Sequence, residues 1–246
     1  MADSLVPAAR ARTAARLKGE RRGERRQREE RHIATLVHGR FLVEAPADPT
    51  GSPLLVGFHG YGETADIHLE ELRRIPGAAQ WVLCAVQGLH PFYNRAGEVI
   101  ASWMTREQRE HAIQDNLGYV AGVVAEVKRE LPVSERLAYL GFSQGAAMAY
   151  RAAAGSGHAC QGVVVLGGDL PPELEPRDLS HFPAVLLGRG SSEEWYDAAK
   201  MEHDVELLRK KGVDIRPCVF QGGHEWTNEF RAEAGRFLEE VFRPAS

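Results

Sequence analysis

Three short stretches hold residue types that together could break an acyl bond. "GFSQG", 141–145, sets a serine between glycines two positions away on either side, after an apolar run and before a run of small residues. A serine on such a sharp strand-to-helix turn presents its hydroxyl outward, and the glycines leave room for the backbone to close. Ser143 is the candidate nucleophile; the plainer alternative is a serine N-cap on a helix start. "FQGGHEW", 220–226, puts His224 behind two glycines at the end of the last apolar run, where a general base would be exposed. "FHGYGE", 58–63, follows an early apolar run, and its glycines would let the chain turn tightly. Acyl transfer needs two fixed N–H groups aimed at the developing oxyanion. The candidates are the backbone N–H of Gln144, next to the serine, and that of Tyr61. His59, in the same loop as Tyr61, reads as structural.

A serine–histidine pair of this kind also needs a carboxylate to hold the imidazole. "GRGSSEEWYD", 188–197, offers Glu193, Glu194 and Asp197, and Asp169 follows the neighbouring run "GVVVLGG". Asp197 precedes a helical pattern, where its carboxylate would cap the free N–H groups. The residues by themselves leave the acid open among these four.

Rival chemistries fare less well. Residues 60–65 also fit G-x-G-x-x-A, a dinucleotide-binding pattern. That pattern needs an acid about 20 residues on, at the end of the next strand, and "CAVQGLH" supplies none. There is no H-E-x-x-H and no metal-ligand spacing, so neither metal nor cofactor is expected. Cys84, Cys160 and Cys218 are scattered, with no C-x-x-C pair. They read as small buried apolar residues in a reducing compartment, and a cytoplasmic location is expected.

These residues must be positioned by the elements around them. Strand-like runs fall at 40–45, 53–58, 80–87, 136–142, 161–168, 182–188 and 214–220. Helical patterns fall between them at 63–75, 111–131, 143–154, 197–211 and 225–242. In 111–131 the residues Ile113, Leu117, Val120, Val124, Val127 and Leu131 recur at steps of three and four. The run at 80–87 is almost continuously apolar, as in a strand buried on both faces. Pro217 marks the last strand as an edge. Strand and helix alternating over some 200 residues predict an α/β fold with a mainly parallel central sheet and helices on both faces. Sites in such sheets lie beyond the carboxyl ends of the strands, and the three stretches above all do. The Pro-, Asn- and Gly-rich stretch 88–106 reads as a loop whose His90, Phe92, Tyr93, Trp103 and Met104 could wall an apolar pocket.

The chain has 246 residues, 43% hydrophobic and 26% charged, enough for one large domain with its own core. Net charge is −4, but residues 1–32 hold ten Arg/Lys against five Asp/Glu, leaving −9 for the rest. The expected organisation is an Arg-rich arm, 1–32, flexible or loosely helical, and a single domain over 33–246. A solvated tail is the plain reading of the arm; docking to RNA, a membrane or a partner is the alternative. The acidic body carries no nucleic-acid footprint. No apolar stretch approaches the ~20 residues of a membrane span, and no signal-like apolar segment opens the chain. The oligomeric state is left open, a homo-oligomer included.

"FHGYGE", "LGFSQGAAMAY", "PAVLLGRGSSEEWYD" and "FQGGHEW", taken in order, resemble the phospholipase/carboxylesterase branch of the α/β-hydrolases, over roughly 40–243. Acyl-protein thioesterases and small bacterial carboxylesterases belong to that branch, and dienelactone-hydrolase-like proteins are near neighbours. The resemblance implies an α/β-hydrolase fold, with Ser143 as nucleophile, His224 as base, and Tyr61 and Gln144 as oxyanion donors. The family's usual H-G-x-x-D after P-x-V-L-L is altered here. An ungapped match sets Gly190 on the family glycine and Glu193 on the aspartate, which implies Glu193 as the acid, with Asp169 as its competitor. The implied activity is that of a serine ester hydrolase, a carboxylesterase, acting on a small-molecule carboxylic ester or thioester without a cofactor. The alternative is an α/β-hydrolase-fold binding protein with weak catalysis.

Overall fold

The computed structural model describes residues 29–243. The chain divides into two units, 1–36 and 37–246. Of the first, residues 29–36 are exposed and carry neither helix nor strand; the remainder of the Arg-rich arm lies outside the described residues.

The second unit is built on a seven-stranded sheet. Its strands are β1 (Phe41–Glu44), β2 (Leu54–Phe58), β3 (Val82–Val86), β6 (Leu137–Phe142), β7 (Gly162–Leu166), β8 (Ala184–Gly190) and β9 (Ile215–Phe220), in the order β1-β3-β2-β6-β7-β8-β9. Only β1 runs antiparallel to its neighbour. The helices are α1 (Ala65–Arg73), α2 (Arg109–Glu130), α3 (Gln144–Gly155), α4 (Ala198–Lys210) and α5 (Asn228–Val241).

Burial on both faces explains the apolar runs. Side chains alternate across a strand, so Leu137 and Tyr139 of β6 enter one core with α2, α3 and α4. Ala138, Leu140 and Phe142 enter the other with α1 and α5. Side-chain oxygens of Thr64, Asp197 and Thr227 accept from the first-turn N–H groups of α1, α4 and α5. Pro217 sits on β9, the sheet edge, where its missing N–H leaves no ladder position unfilled.

Two regions differ from expectation. Strand β8 runs on to Gly190, because Arg189 and Gly190 pair with Val219 and Phe220 of β9. The stretch 88–106 is not all loop: β4 (His90–Tyr93) and β5 (Val99–Ser102) form an antiparallel ribbon. Its exposed first strand lacks the apolar alternation that marks a strand in sequence.

His68 on α1 is fully buried, with its ring centroid 6.0 Å from that of Trp226, and neither ring nitrogen has a hydrogen-bond partner. Burial, aided by His59, holds its pKa down from 6.5 to about 3. The folded protein thus keeps His68 neutral while the unfolded chain protonates it below pH 6.5. Stability must fall with pH through the window between those values, by about 1.4 kcal/mol per unit. His68→Leu should flatten this slope. Between pH 7 and 5, urea denaturation should show the wild type losing about 2 kcal/mol more than the variant; parallel losses would contradict the assignment.

Candidate active site

Ser143 forms the tip of the turn from β6 into α3, with φ 54° and ψ −118°. A non-glycine residue held there stores strain of about 1–3 kcal/mol, tolerated only where the surroundings over-determine it. Here the Ser143 N–H donates to the Leu166 carbonyl on β7 at 2.8 Å. The first turn of α3 presses against the end of β2: a Cβ on Gly145 would lie 2.0 Å from the Phe58 carbonyl oxygen. Only glycine allows that approach, and the approach sets the turn.

His224 follows β9. Its Nε2 lies 2.8 Å from Ser143 Oγ and its Nδ1 lies 2.5 Å from Glu193 Oε2. A carboxylate at Glu193 can only accept; the tautomer that suits it carries the proton on Nδ1 and turns the Nε2 lone pair to the serine hydroxyl. The Phe142 ring packs against the imidazole, centroids 4.9 Å apart. Gly167, at φ 64°, also lies against the imidazole: a Cβ there would come within 3.1 Å of the ring.

Of the four candidate carboxylates, Glu193 meets the histidine. It is 6% exposed. Its second oxygen accepts the backbone N–H of Trp195 at 2.7 Å and that of Tyr196 at 3.4 Å. The loop carrying it is tied to the end of β9 by Ser191 N–H to Phe220 O at 2.7 Å and Ser192 N–H to Gly222 O at 2.8 Å. Glu194 is exposed. Asp197 caps α4, accepting from the Lys200 N–H at 2.9 Å. Asp169 lies beside the cavity, 3.9 Å from Lys200 Nζ, with its carboxyl raised by burial.

Tyr61 lies in the loop after β2, pinned on both sides. The Gly60 N–H donates to Glu63 Oε2 at 2.7 Å and the Gly62 N–H to the Ala101 carbonyl at 2.9 Å. The Tyr61 side chain is 64% exposed, against Phe92. The Gln144 side chain clamps the neighbouring loop, accepting from Trp103 N–H at 3.0 Å and donating to the Met104 carbonyl at 2.9 Å. His59 is buried and structural in its contacts: Nδ1 meets the Gly60 carbonyl at 2.7 Å and Nε2 accepts the Gly88 N–H at 2.9 Å. Burial keeps it neutral by lowering its pKa.

Ser143, His224, Tyr61 and Gln144 all border one cavity of about 570 Å³. The wall expected from 88–106 is mostly elsewhere. Of its five residues only Met104 lines the cavity. Trp103 is fully buried, donating from Nε1 to the His59 carbonyl at 2.9 Å, while His90 and Tyr93 are exposed on the ribbon. Three contributors went unread in the sequence: Gly167, Glu63 and the cavity-lining Arg151. The first had a visible signal, a Gly-Gly pair closing an apolar run just as in "QGGH".

Among curated proteins no sequence matches the chain. Solved structures do. Esterase PE8 superposes with a TM-score of 0.69 at 19% identity, covering 84% of this chain and 100% of that one. The Bacillus cereus carboxylesterase gives 0.67 at 16%, covering 83% and 95%. Zea mays acyl-protein thioesterase 2 gives 0.62 at 18%, covering 83% and 99%. At such identities the likeness is one of fold, the α/β-hydrolase fold. The phospholipase/carboxylesterase family model matches residues 38–242. The chain belongs to the phospholipase/carboxylesterase family of α/β-hydrolases.

Proposed function

We propose that the protein is a serine hydrolase of carboxylic esters or thioesters, working through an acyl-enzyme. The observation that carries this reading is the hydrogen-bonded chain from Ser143 through His224 to Glu193 at the cavity. Ser143 Oγ attacks the acyl carbon as His224 Nε2 takes its proton. Glu193 holds the imidazole in the tautomer that can accept that proton and stabilises the imidazolium that follows. The N–H groups of Tyr61 and Gln144 receive the oxyanion, each on a segment fixed by other hydrogen bonds, so little reorganisation is needed in the transition state. His224 returns the proton to the leaving group, then activates the water that frees the acid. The chain's own residues supply each of these roles. The unpaired Cys84, Cys160 and Cys218 fit a reducing compartment such as the cytoplasm, and no described helix is long and apolar enough to cross a membrane.

A fluorophosphonate probe should label the purified protein on Ser143, read by mass spectrometry of its peptide, and the protein should hydrolyse p-nitrophenyl butyrate. A folded sample that neither labels nor turns over any of a panel of esters and thioesters would point instead to a binding protein on a hydrolase fold.

A further inference from the structure

One face of α3 forms a side of the cavity. Ser143, Ala147 and Arg151 follow one another at steps of four and all three line it, as residues on one helical stripe must. The stripe carries a nucleophile, then a methyl group, then a cation about 12 Å further along the axis by helical rise. Arg151 and Ser143 thus border the same cavity from one helix.

Arg151 is a buried charge, its side chain 6% exposed. Its Nε donates to Glu173 Oε1 at 2.6 Å. Among the described residues its Nη1 meets the Met104 sulfur, at 3.8 Å, which is a weak acceptor. The other Glu173 oxygen accepts from Arg109 Nη2 at 2.7 Å. Burial alone would raise the Glu173 carboxyl, but hydrogen bonds from Arg151 and Arg109 outweigh it and hold the pKa at about 2. Glu173 is therefore ionised, and two guanidiniums share one carboxylate, leaving one positive charge in excess. Lys200 and Asp169, which also line the cavity, face each other at 3.9 Å and offset each other. Arg109 is 38% exposed, so solvent shares its charge; the Nη1 of the buried Arg151, met by a weak acceptor, is the donor that an anion in the cavity would satisfy.

We propose that Arg151, assisted by Arg109, binds a carboxylate carried by the substrate, so that the preferred ester has a free carboxylate several methylenes from the scissile carbonyl. The guanidinium fork suits a carboxylate. A single excess charge matches a monoanion; a phosphate dianion would leave negative charge unpaired beside Glu173 and Asp169. Met104, Leu170 and Pro171 along the cavity suit the methylenes between. The reaction part of this inference rests on the hydrolase reading; the binding part does not.

Two arms locate the charge. p-Nitrophenyl monoesters of glutaric, adipic and suberic acid carry it on the acyl side, and butyrate esters of glycolic and 4-hydroxybutyric acid carry it on the alcohol side. Each is compared with its methyl-capped neutral twin. In at least one arm kcat/KM should favour the charged ester by about tenfold or more, mainly through KM, as expected when a charged hydrogen-bond partner is gained. The readout is the charged-to-neutral ratio within each protein, which a general loss of active material leaves unmoved. Arg151→Gln should bring the ratio to about one or below, Arg151→Lys should restore part of it, and Arg109→Gln should lower it less. Because Arg151→Gln takes from Glu173 one of its two cationic partners, the Arg151→Gln, Glu173→Gln double variant is measured as well. A wild-type ratio of one or less in both arms, or a ratio unmoved in both Arg151→Gln proteins, overturns the inference. If no ester is hydrolysed at all, the hydrolase reading fails separately, and calorimetry with adipate decides the subsite. Binding lost in Arg151→Gln supports it; no binding to the wild type overturns it.

Discussion

Ser143→Ala is expected to lower kcat/KM for p-nitrophenyl butyrate by about 10^4- to 10^6-fold, the range seen when a serine protease loses one member of its triad. The loss should fall on kcat, because the hydroxyl does its work at the reacting carbon rather than in holding the ester. The fold should survive. The side chain removed is a single hydroxyl whose hydrogen bond runs to His224 Nε2, and the contacts that enforce the turn are backbone ones: the Ser143 N–H on Leu166 and the close approach of Gly145 to Phe58. Circular dichroism and the thermal midpoint should therefore match the wild type within a few degrees, as about 1 kcal/mol or less would imply for a chain of this size. The fluorophosphonate label should vanish with the activity. If the alanine protein kept a tenth or more of wild-type turnover, with contaminating hydrolase excluded by labelling, Ser143 would not be the nucleophile. The fold would then have to host a different site or serve in binding.

The sheet could be read from the chain because its central strands are buried on both faces. β2, β3, β6 and β7 have no exposed residue, so each appears as an unbroken apolar run that a helix surface does not produce. Turn chemistry made Ser143 and His224 visible for the same reason. Glycine is required where backbone crowds backbone, and the requirement survives as a pattern of letters. Arg151 was invisible for the opposite reason. In "SQGAAMAYRAAA" it reads as the polar face of a helix, since periodicity tells which residues share a stripe and not whether the stripe faces water or a cavity. Its partners Glu173 and Arg109 are 22 and 42 positions away, and nothing local announces such a meeting. The β4–β5 ribbon failed for a third reason: its ladder satisfies backbone groups without burying a face, and only burial leaves hydrophobic alternation behind.

Glu193→Gln should cost about 10^4-fold in kcat, comparable to replacing the triad aspartate of a serine protease by its amide. The reason lies in how both carboxylate oxygens are used. One accepts from His224 Nδ1, and the other accepts from the N–H groups of Trp195 and Tyr196. An amide offers one acceptor and one donor, so either orientation fails somewhere. With its NH2 toward Trp195 and Tyr196, donor faces donor in a nearly dry site. With its NH2 toward His224, the proton is driven from Nδ1 to Nε2, and the imidazole can no longer take the proton of Ser143. Glu193→Asp keeps the charge but is one methylene short. The backbone cannot follow, because Ser191 and Ser192 are tied to Phe220 and Gly222 at the end of β9. The shortened carboxylate must release either the histidine or the two N–H groups, and a loss of about 10- to 100-fold in kcat is expected, in line with a catalytic group displaced by about 1 Å. Asp169→Asn provides the contrast. Its carboxylate faces Lys200 rather than His224, so turnover of the neutral p-nitrophenyl butyrate should stay within about threefold of wild type, a barrier change under about 0.7 kcal/mol. The order Gln far below Asp, with Asn at position 169 near wild type, is the signature of Glu193 as the acid. Equal activity in Glu193→Gln and wild type, or collapse in Asp169→Asn with intact fold, would move the role to Asp169.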